Sequence, residues 1–236
     1  KTRTVLDHNQ EHTLDKQHHI QQIQKEARRL LKDADKETLS PQTFGENQAD
    51  FSERITALWA DLGDDYFLYA SPQDVARETQ AILNHTNPEV PLVLERHETE
   101  GGTGFIILTQ DRDYLFADTT YFLEQQNLTA VDAYITLTQS GYVINGYTVV
   151  EENGTEITQK EKVHELLQGL KQALTRDTSV PFTPIIRHIP RQIKHFPVPT
   201  RVTFTQDHLN NHTAVEVVTT DRAGVLSRIA QAFVAC

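Results

Sequence analysis

The sequence predicts an α+β protein in which a helical segment precedes a ferredoxin-like βαββαβ module and the start of a second one. Three observations support this fold class. Apolar residues recur at helical spacing through most of the first 90 residues. After a first apolar run at residues 91–96, the chain reads as strand, helix, strand, strand and helix up to residue 174, so that a further strand would complete the βαββαβ order. From residue 213 a second strand leads into a second helix.

The helical segment is predicted from apolar stripes and one start signal. Residues 14–35 and 51–62 carry apolar residues at steps of three and four, typical of one helix face. These stripes consist of Ile20, Ile23, Ala27, Leu30, Leu31 and Ala34, and of Phe51, Ile55, Leu58, Trp59 and Leu62. A third helix is predicted from Ser71 onward, because Ser71 suits the N-cap, Pro72 the first helical position and Asp74 the capping box.

The module after residue 90 is predicted from a change of pattern. Two apolar, β-prone runs are joined by the turn-like E-T-E-G-G-T. Further along, two runs with period-two alternation flank Ser140-Gly141, which suits a hairpin turn. The predicted strands span residues 91–96, 104–110, 130–138 and 142–150, and the predicted helices span residues 113–126 and 159–174. Leu115, Phe116, Thr119, Phe122 and Leu123 are expected to face inward from the first of these helices.

Two stretches share a strand-to-helix layout with an Asp-Arg pair at the bend. They are T-Q-D-R-D-Y-L-F, residues 109–116, and T-T-D-R-A-G-V-L, residues 219–226. Unpaired N–H groups at a helix start favour a carboxylate, and an acidic neighbour can hold an ammonium group. Such a bend therefore suits a free amino acid. The alternative interpretation is a tight turn with a helix cap.

The second bend gives the stronger candidate site, because only it has a glycine. Glycine permits unusual dihedral angles and lets a ligand approach the backbone. The candidate residues there are Gly224, Val225 and Leu226 for a carboxylate, Asp221 for an ammonium group, and Arg222 beside it. The weaker candidates at the first bend are Asp111, Arg112, Tyr114 and Leu115.

Composition excludes several classes of protein. The chain has 236 residues, with 22 Lys and Arg against 33 Asp and Glu, giving a formal charge of −11. This balance disfavours a nucleic-acid binder, which needs a basic face. No apolar stretch approaches the roughly 20 residues of a membrane helix, and no leader is visible. The single cysteine, Cys236, fits a reducing compartment, so a cytoplasmic protein is expected.

The ends of the sequence suggest a fragment of a longer protein. The chain begins at Lys1, stops at Cys236 within a helical pattern and contains no methionine. Sequence reasoning attaches no chemistry to Cys236.

The other polar clusters can be interpreted without a metal or phosphate site. His8 and His12 are four residues apart and could face one metal ion, with His18 and His19 nearby, but no thiolate or dedicated carboxylate accompanies them. A solvated surface is favoured. A basic group could contact a phosphate, although docking on the acidic body of the same protein is favoured. It comprises Arg187, Arg191, Lys194 and His195.

Three further features are interpreted structurally. Trp59 and Phe67 lie among core-like neighbours and are expected to pack. Asp64 and Asp65 could act as a carboxylate pair, but a turn beside a helix end is favoured. No residue of this chain is predicted to be catalytic or to bind a metal or a cofactor.

Several stretches together resemble a known family. D-R-A-G-V-L-S-R-I-A-Q-A-F, residues 221–233, is similar to the hinge of ACT domains, small βαββαβ modules that bind amino acids. L-W-A-D-L-G-D-D-Y-F-L-Y-A-S-P-Q-D-V-A, P-R-Q-I-K-H-F-P-V-P-T-R-V-T-F and the paired bends narrow the match. They resemble the C-terminal third of the bifunctional uridylyltransferase/uridylyl-removing enzymes of the PII signalling protein. The resemblance covers residue 51 to the end.

The resemblance implies a layout for the parent protein. A nucleotidyltransferase domain would add UMP from UTP to PII with Mg²⁺, an HD domain would remove it, and two ACT modules would sense glutamine. This chain lacks the motifs of both catalytic sites; the nearest, Leu6-Asp7-His8, has the order of a His-Asp dyad reversed. What remains on the chain is the sensor, with glutamine as effector and PII as substrate of the parent enzyme.

The resemblance also implies domain boundaries. They are 1–90 for a helical linker, 91–205 for a first ACT domain with a Pro-rich basic connection, and 206–236 for the start of a second. The modules could pair with each other or with a second chain. Asp113 and Tyr114 stand where the family has Pro-Gly, so the first bend is expected to bind glutamine poorly. The alternatives are a stand-alone amino-acid-binding ACT protein and the ACT part of an amino-acid-metabolism enzyme.

Overall fold

A computed structural model describes residues 2–37, 48–97, 101–175, 199–207, 212–220 and 225–234. The chain divides into two compact units. One consists of Lys1–Arg112 and Leu128–Arg176, and the other of Asp113–Asn127 and Asp177–Cys236. The domain boundaries given above stay a prediction.

The first unit opens with the predicted helical segment. It comprises α1 (Thr2–Glu37), α2 (Gln48–Leu62), a short 3-10 helix (Asp64–Leu68) and α3 (Pro72–Leu83). Helix α1 begins earlier than the expected residue 14. The N-cap prediction is confirmed, since Ser71 Oγ accepts a hydrogen bond from the Asp74 N–H at 3.1 Å.

The apolar stripes of these helices meet in one core. Members of the predicted stripes, Ile20 and Trp59 among them, are nearly fully buried. Phe67 packs edge-on against Trp59 with ring centroids 5.6 Å apart, which confirms that both aromatic residues serve packing. The buried cluster consists of Ile20, Ile23, Ala27, Leu31, Ile55, Trp59, Leu62, Tyr66, Phe67, Ala70, Val75, Ala76, Ile106 and Ile144.

The same unit contains a four-stranded antiparallel sheet in the order β1-β2-β4-β3. Its strands are β1 (Leu92–Arg96), β2 (Thr103–Gln110), β3 (Leu128–Leu137) and β4 (Tyr142–Glu151). Because β4 is antiparallel to both β2 and β3, the latter two run parallel, as in a split βαβ unit. The ferredoxin-like prediction is therefore confirmed.

The fourth strand of the sheet is β1, which corresponds to the first apolar run of the predicted module. The βαββαβ order predicts a further strand after the last helix, but the edge beside β2 is taken by β1, in the register Leu92↔Leu108. A connection of six residues joins β1 to β2, so their pairing costs little loop entropy.

Other elements pack against both faces of this sheet. Ile106 and Ile144 point into the core of the helical segment. On the opposite face Phe105 stacks on Tyr147 at 5.3 Å, and α5 (Lys160–Leu174) packs against β1. A sheet covered on both sides must be apolar on both sides, which explains the continuous run F-I-I-L in β2.

The second unit contains α4 (Leu115–Gln125), β5 (Arg201–Asp207), β6 (His212–Val218) and α6 (Val225–Val234). β5 and β6 form a separate antiparallel pair, and α4 packs against α6. The buried residues of α4 include Leu115, Ala117, Thr119, Thr120 and Leu123. The expectation for Phe116 and Phe122 is wrong in part, because both side chains are only half-buried.

Candidate functional site

The Asp-Arg pair of the first bend makes hydrogen bonds within the fold. The backbone N–H of Asp111 donates to the Gly141 carbonyl at 3.4 Å, while the Asp111 side chain is exposed. Arg112 Nη2 donates to the carbonyl of Leu174, the last residue of α5, at 3.4 Å. A cation at a helix C-terminus is favourable because the carbonyls there lack helical partners. Arg112 is thus engaged by the fold.

Tyr114 takes the conformation that a glycine would adopt without strain. Its φ of 63° lies in the left-handed region, which costs a residue with a Cβ about 1–2 kcal/mol. Tyr114 is the N-cap of α4, but its side chain makes no capping bond, and its carbonyl accepts from the Asp118 N–H at 2.7 Å. The backbone bend is therefore formed without a glycine, and the phenol of Tyr114 is part of it.

The remaining candidate of the first bend is a core residue. Leu115 is 5% exposed, so its side chain is unavailable to a ligand. The four candidates of this bend are neighbours in the chain. The side chains of Arg112 and Leu115, however, have structural roles.

The second bend is described only in part. Asp221, Arg222 and Gly224 lie outside the described residues. Val225 and Leu226 form the start of α6 and are half-buried. One residue further on, Ser227 is buried and its Oγ donates to Glu124 Oε2 of α4 at 3.1 Å.

Each bend follows an antiparallel hairpin. Counted back from the Asp-Arg pairs, Ile106 of β2 corresponds to Glu216 of β6, and their cross-strand partners are Leu94 and Thr203. Ile106 is fully buried whereas Glu216 is exposed. The face that receives the helical segment in the first hairpin is therefore polar in the second, and the internal repeat differs at this face.

A buried ion pair that sequence reasoning missed links the helical segment to the sheet. Arg96 of β1 donates from Nε to Glu78 Oε1 of α3 at 2.7 Å and from Nη2 to Oε2 at 3.0 Å. Arg96 Nη1 also donates to the Tyr69 carbonyl at 2.6 Å, and Tyr66 donates its hydroxyl proton to Glu78 at 2.6 Å. Each formal charge is thus satisfied by several hydrogen bonds, as burial requires.

Tyrosines surround this ion pair. Tyr134 of β3 stacks on Tyr69 at 4.4 Å, and the Arg96 guanidinium lies 5.4 Å from the Tyr134 ring centroid. Burial, reinforced by the Glu78 carboxylate, raises the pKa of Tyr66 well above its usual value. Burial likewise raises the pKa of Tyr134, although the Arg96 charge opposes that shift.

The sequence held a signal for this ion pair. Glu78 falls between Val75 and Ile82 on the apolar stripe of α3, and Arg96 continues the alternation of Leu92 and Leu94. A charged residue on each of two apolar faces indicates a buried pair.

The other polar clusters noted in the sequence lie on the surface or outside the described residues. Asp64 and Asp65 begin the 3-10 helix, and Asp65 pairs with Lys16 at 2.8 Å on the surface. His18 and His19 are exposed. The side chains of His8 and His12, the basic group of residues 187–195 and Cys236 lie outside the described residues. In the part of the chain that the structure describes, no three His, Cys, Asp or Glu residues are grouped as metal ligands.

Comparison with known proteins finds related enzymes. Residues 15–81 match the family model described as Uridylyltransferase GlnD fifth domain. A bifunctional uridylyltransferase/uridylyl-removing enzyme of Methylococcus capsulatus is 38% identical over 77% of this chain. The enzyme of the same name from Stutzerimonas stutzeri is 40% identical over 75%, and that from Pseudomonas putida is 34% identical over 99%. This chain is therefore similar, over most of its length, to a part of the uridylyltransferase/uridylyl-removing enzymes.

The chain spans only a part of the length of these relatives. It spans 21% of the Methylococcus relative, 20% of the Stutzerimonas relative and 25% of the Pseudomonas putida relative. No solved structure matches it. Among the described helices, none has the length and apolarity that a bilayer crossing requires.

The family match reaches further upstream than the resemblance expected from residue 51. The GlnD family model begins at residue 15, inside α1, and ends at residue 81, inside α3. The family model thus covers most of the helical segment that packs on the sheet.

Proposed function

We propose that this chain is the glutamine-sensing regulatory region of an enzyme that acts on the PII signalling protein. The parent enzyme would transfer UMP from UTP to PII, releasing diphosphate, and would also remove the UMP by hydrolysis. The observation that carries the proposal is the 34–40% identity to enzymes named for both activities. The catalytic domains, and the Mg²⁺ that the transfer requires, are assigned to parts of the parent protein outside this chain.

The second bend is the proposed receptor for glutamine. The first residues of α6 place unpaired backbone N–H groups after Gly224, where the helix dipole favours a carboxylate. Asp221 would hold the ammonium group, and the absence of a Cβ at Gly224 leaves room for backbone contact. Val225 and Leu226 are only half-buried, which is consistent with a ligand reaching the start of this helix.

The first bend is proposed not to be a glutamine receptor. Arg112 is engaged with the end of α5, Leu115 is buried, and Tyr114 carries a phenol at the position of the helix N-cap. Asp113 adds a negative charge where a carboxylate would dock.

An activity assay on the full-length protein tests the proposal. PII uridylylation and PII-UMP hydrolysis are each measured over a range of glutamine concentrations. We expect glutamine to suppress the transfer relative to the hydrolysis, and Gly224→Val to abolish this response while both basal rates persist. Thr213→Ala, a change on the exposed face of β6, is the matched control and should respond as the unmodified protein does. Equal glutamine responses of Gly224→Val and the unmodified protein would contradict the assignment of the second bend.

A further inference from the structure

One face of α1 carries a row of cationic side chains. Lys25, Arg28 and Lys32 follow one another at steps of three and four, so they lie on the same side of the helix. The opposite side supplies buried residues, Ile23 and Ala27 among them, to the core. The cationic side therefore faces solvent. It borders an open groove of about 470 Å³, here called the cationic groove, which is lined by Gln21, Gln24, Lys25, Arg28, Arg29 and Lys32.

Arg29, at the margin of the groove, is neutralised by its own helix. Its Nη2 lies 2.6 Å from Glu26 Oε1, and its Nη1 lies 3.2 Å from Asp33 Oδ2. Within the described ranges of the chain, no carboxylate forms an ion pair with the other three cations of the groove. Their positive charges thus stand unmatched on a chain whose formal net charge is −11.

Arg28 is held in place by uncharged partners. Its Nη2 donates to Thr56 Oγ1 of α2 at 3.0 Å, and its guanidinium lies 4.5 Å from the centre of the Trp59 ring. These contacts orient the guanidinium without neutralising it, and they leave its other N–H groups available to a carboxylate. A side chain that is already oriented loses less conformational entropy when a partner binds.

The adjoining surface of α2 has room for another backbone. Thr56 also borders a groove of about 550 Å³, together with Ser52, Glu53, Ala57 and Ala60. Apart from Glu53 these side chains are small, so another helix can approach α2 closely. Because Glu53 repels carboxylates, an acidic side of such a helix would turn towards the cationic groove.

The charge and the dimensions of this surface define what it can bind. Lys25 and Lys32 are seven residues apart, a separation of about 10.5 Å along the helix axis. Acidic residues seven positions apart on a second helix have the same separation and can meet both lysines. A nucleic acid is disfavoured, because a chain with a net charge of −11 repels a polyanion. The surface therefore suits an acidic protein helix.

We propose that the cationic groove docks an acidic helix from a part of the parent protein outside this chain. The chain spans 20–25% of the length of the relatives, so most of such a protein lies elsewhere. Exposed ion pairs contribute at most about 1 kcal/mol each, which is weak for a separate partner. Within one polypeptide they suffice, because the effective concentration is on the order of millimolar. The inference rests on the proposed function only in taking the chain as part of a longer protein, and not on glutamine binding.

Photo-crosslinking in the full-length protein tests this docking. Gln24→p-benzoylphenylalanine places a photoreactive group in the groove, and His19→p-benzoylphenylalanine places one on an exposed residue of α1 outside it. Mass spectrometry after irradiation identifies the captured segment. We expect the group at position 24 to capture one acidic helical segment of the same polypeptide, and the group at position 19 not to capture it.

Charge reversal provides the second arm of the experiment. Lys25→Glu/Lys32→Glu should reduce the capture at position 24 about tenfold, because both attractions become repulsions. Lys160→Glu/Lys171→Glu, the same change of charge on α5, is the matched control and should leave the capture unchanged. Raising NaCl from about 0.05 M to about 0.5 M should also reduce it, since salt screens exposed charges. Lys25→Gln/Lys32→Gln, with a smaller expected reduction, serves if the charge-reversed variant fails to fold.

Four results would overturn the inference. They are the absence of capture at position 24, capture of a segment without clustered acidic residues, capture of a second copy or a separate protein, and undiminished capture in Lys25→Glu/Lys32→Glu. Intact, charge-dependent capture in a protein whose activities do not respond to glutamine would overturn the glutamine-sensing proposal alone.

Discussion

Arg96 and Glu78 form a bidentate, buried ion pair that fastens the sheet to the helical segment. The two side chains are 4% and 1% exposed, and two nitrogens of the guanidinium bond to both carboxylate oxygens. Burial of a charge is tolerated only while its partner is present. The pair thus makes the packing of α3 on β1 conditional on both residues.

Removal of one partner should be strongly destabilising. Arg96→Met leaves the Glu78 carboxylate buried without its cation, so the free energy of unfolding should fall by about 3–5 kcal/mol. The double variant Arg96→Met/Glu78→Leu should recover much of this loss, because no lone charge remains. Urea denaturation measures both. Asp65→Ala, which breaks the exposed pair with Lys16, should cost under about 1 kcal/mol, and a similar cost for Arg96→Met would contradict the prediction.

Alkaline pH should loosen the same cluster. The pKa of buried Tyr66 is raised, so above about pH 10 the unfolded chain loses a phenol proton that the folded chain keeps. The unfolded state then binds fewer protons, and the free energy of unfolding decreases with pH by about 1.4 kcal/mol per pH unit for this residue. Tyr134, whose pKa is also raised, adds to the slope.

Tyr66→Phe isolates that contribution. At neutral pH it removes the hydroxyl bond to Glu78 and should cost about 1.5–3 kcal/mol. Between pH 10 and 11 its free energy of unfolding should fall less steeply than that of the unmodified protein. Denaturation curves at several pH values give both slopes, and parallel slopes would show that Tyr66 titrates normally in the fold.

Gly146 should not accept a side chain. A Cβ at this position of β4 would lie 2.0 Å from the ring of Tyr134, which crosses the strand there to reach Tyr69. Gly146→Ala must displace that ring and should destabilise the fold by about 1–3 kcal/mol. In a Tyr134→Ala background the same change should cost much less, so a double-mutant cycle by thermal denaturation should report positive coupling. Additive costs would refute the steric explanation.

The elements with local sequence signals were predictable from the sequence. The Ser71 cap, the Ser140-Gly141 hairpin and the stripe through Trp59 depend on neighbours within a few residues, and the structure has them. The edge position of β1 was not predicted, because pairing depends on competition between distant strands. The Arg96–Glu78 pair was missed for a related reason: its partners lie 18 residues apart, on elements whose faces had to be matched first.

The candidate site was less predictable than the fold. The Asp-Arg pairs predicted the positions of both bends. The sequence alone does not show which of the candidate side chains are bonded or buried within the fold. Arg112 reaches the end of α5, 62 residues away, and Leu115 is buried. Such assignments require the three-dimensional neighbours.

Tyr114 should be a strained residue. Tyr114→Gly relieves a left-handed conformation worth about 1–2 kcal/mol but adds chain flexibility worth about 0.5–1 kcal/mol. The variant should therefore be slightly more stable, by up to about 1.5 kcal/mol. Asn127→Gly is a matched control with φ of 59° at an exposed site, where Asn tolerates this conformation better and the gain should be smaller. A destabilised Tyr114→Gly in chemical denaturation would show that the phenol contributes more packing than the strain removes.

Calorimetric titration of L-glutamine into the full-length protein tests the central claim most directly, with L-glutamate as the comparison ligand. The claim predicts one glutamine site per chain, at least tenfold weaker binding in Gly224→Val, and unchanged binding in Tyr114→Phe. Undiminished glutamine binding in Gly224→Val, or binding lost on substitution at Tyr114, would contradict the assignment of the receptor to the second bend.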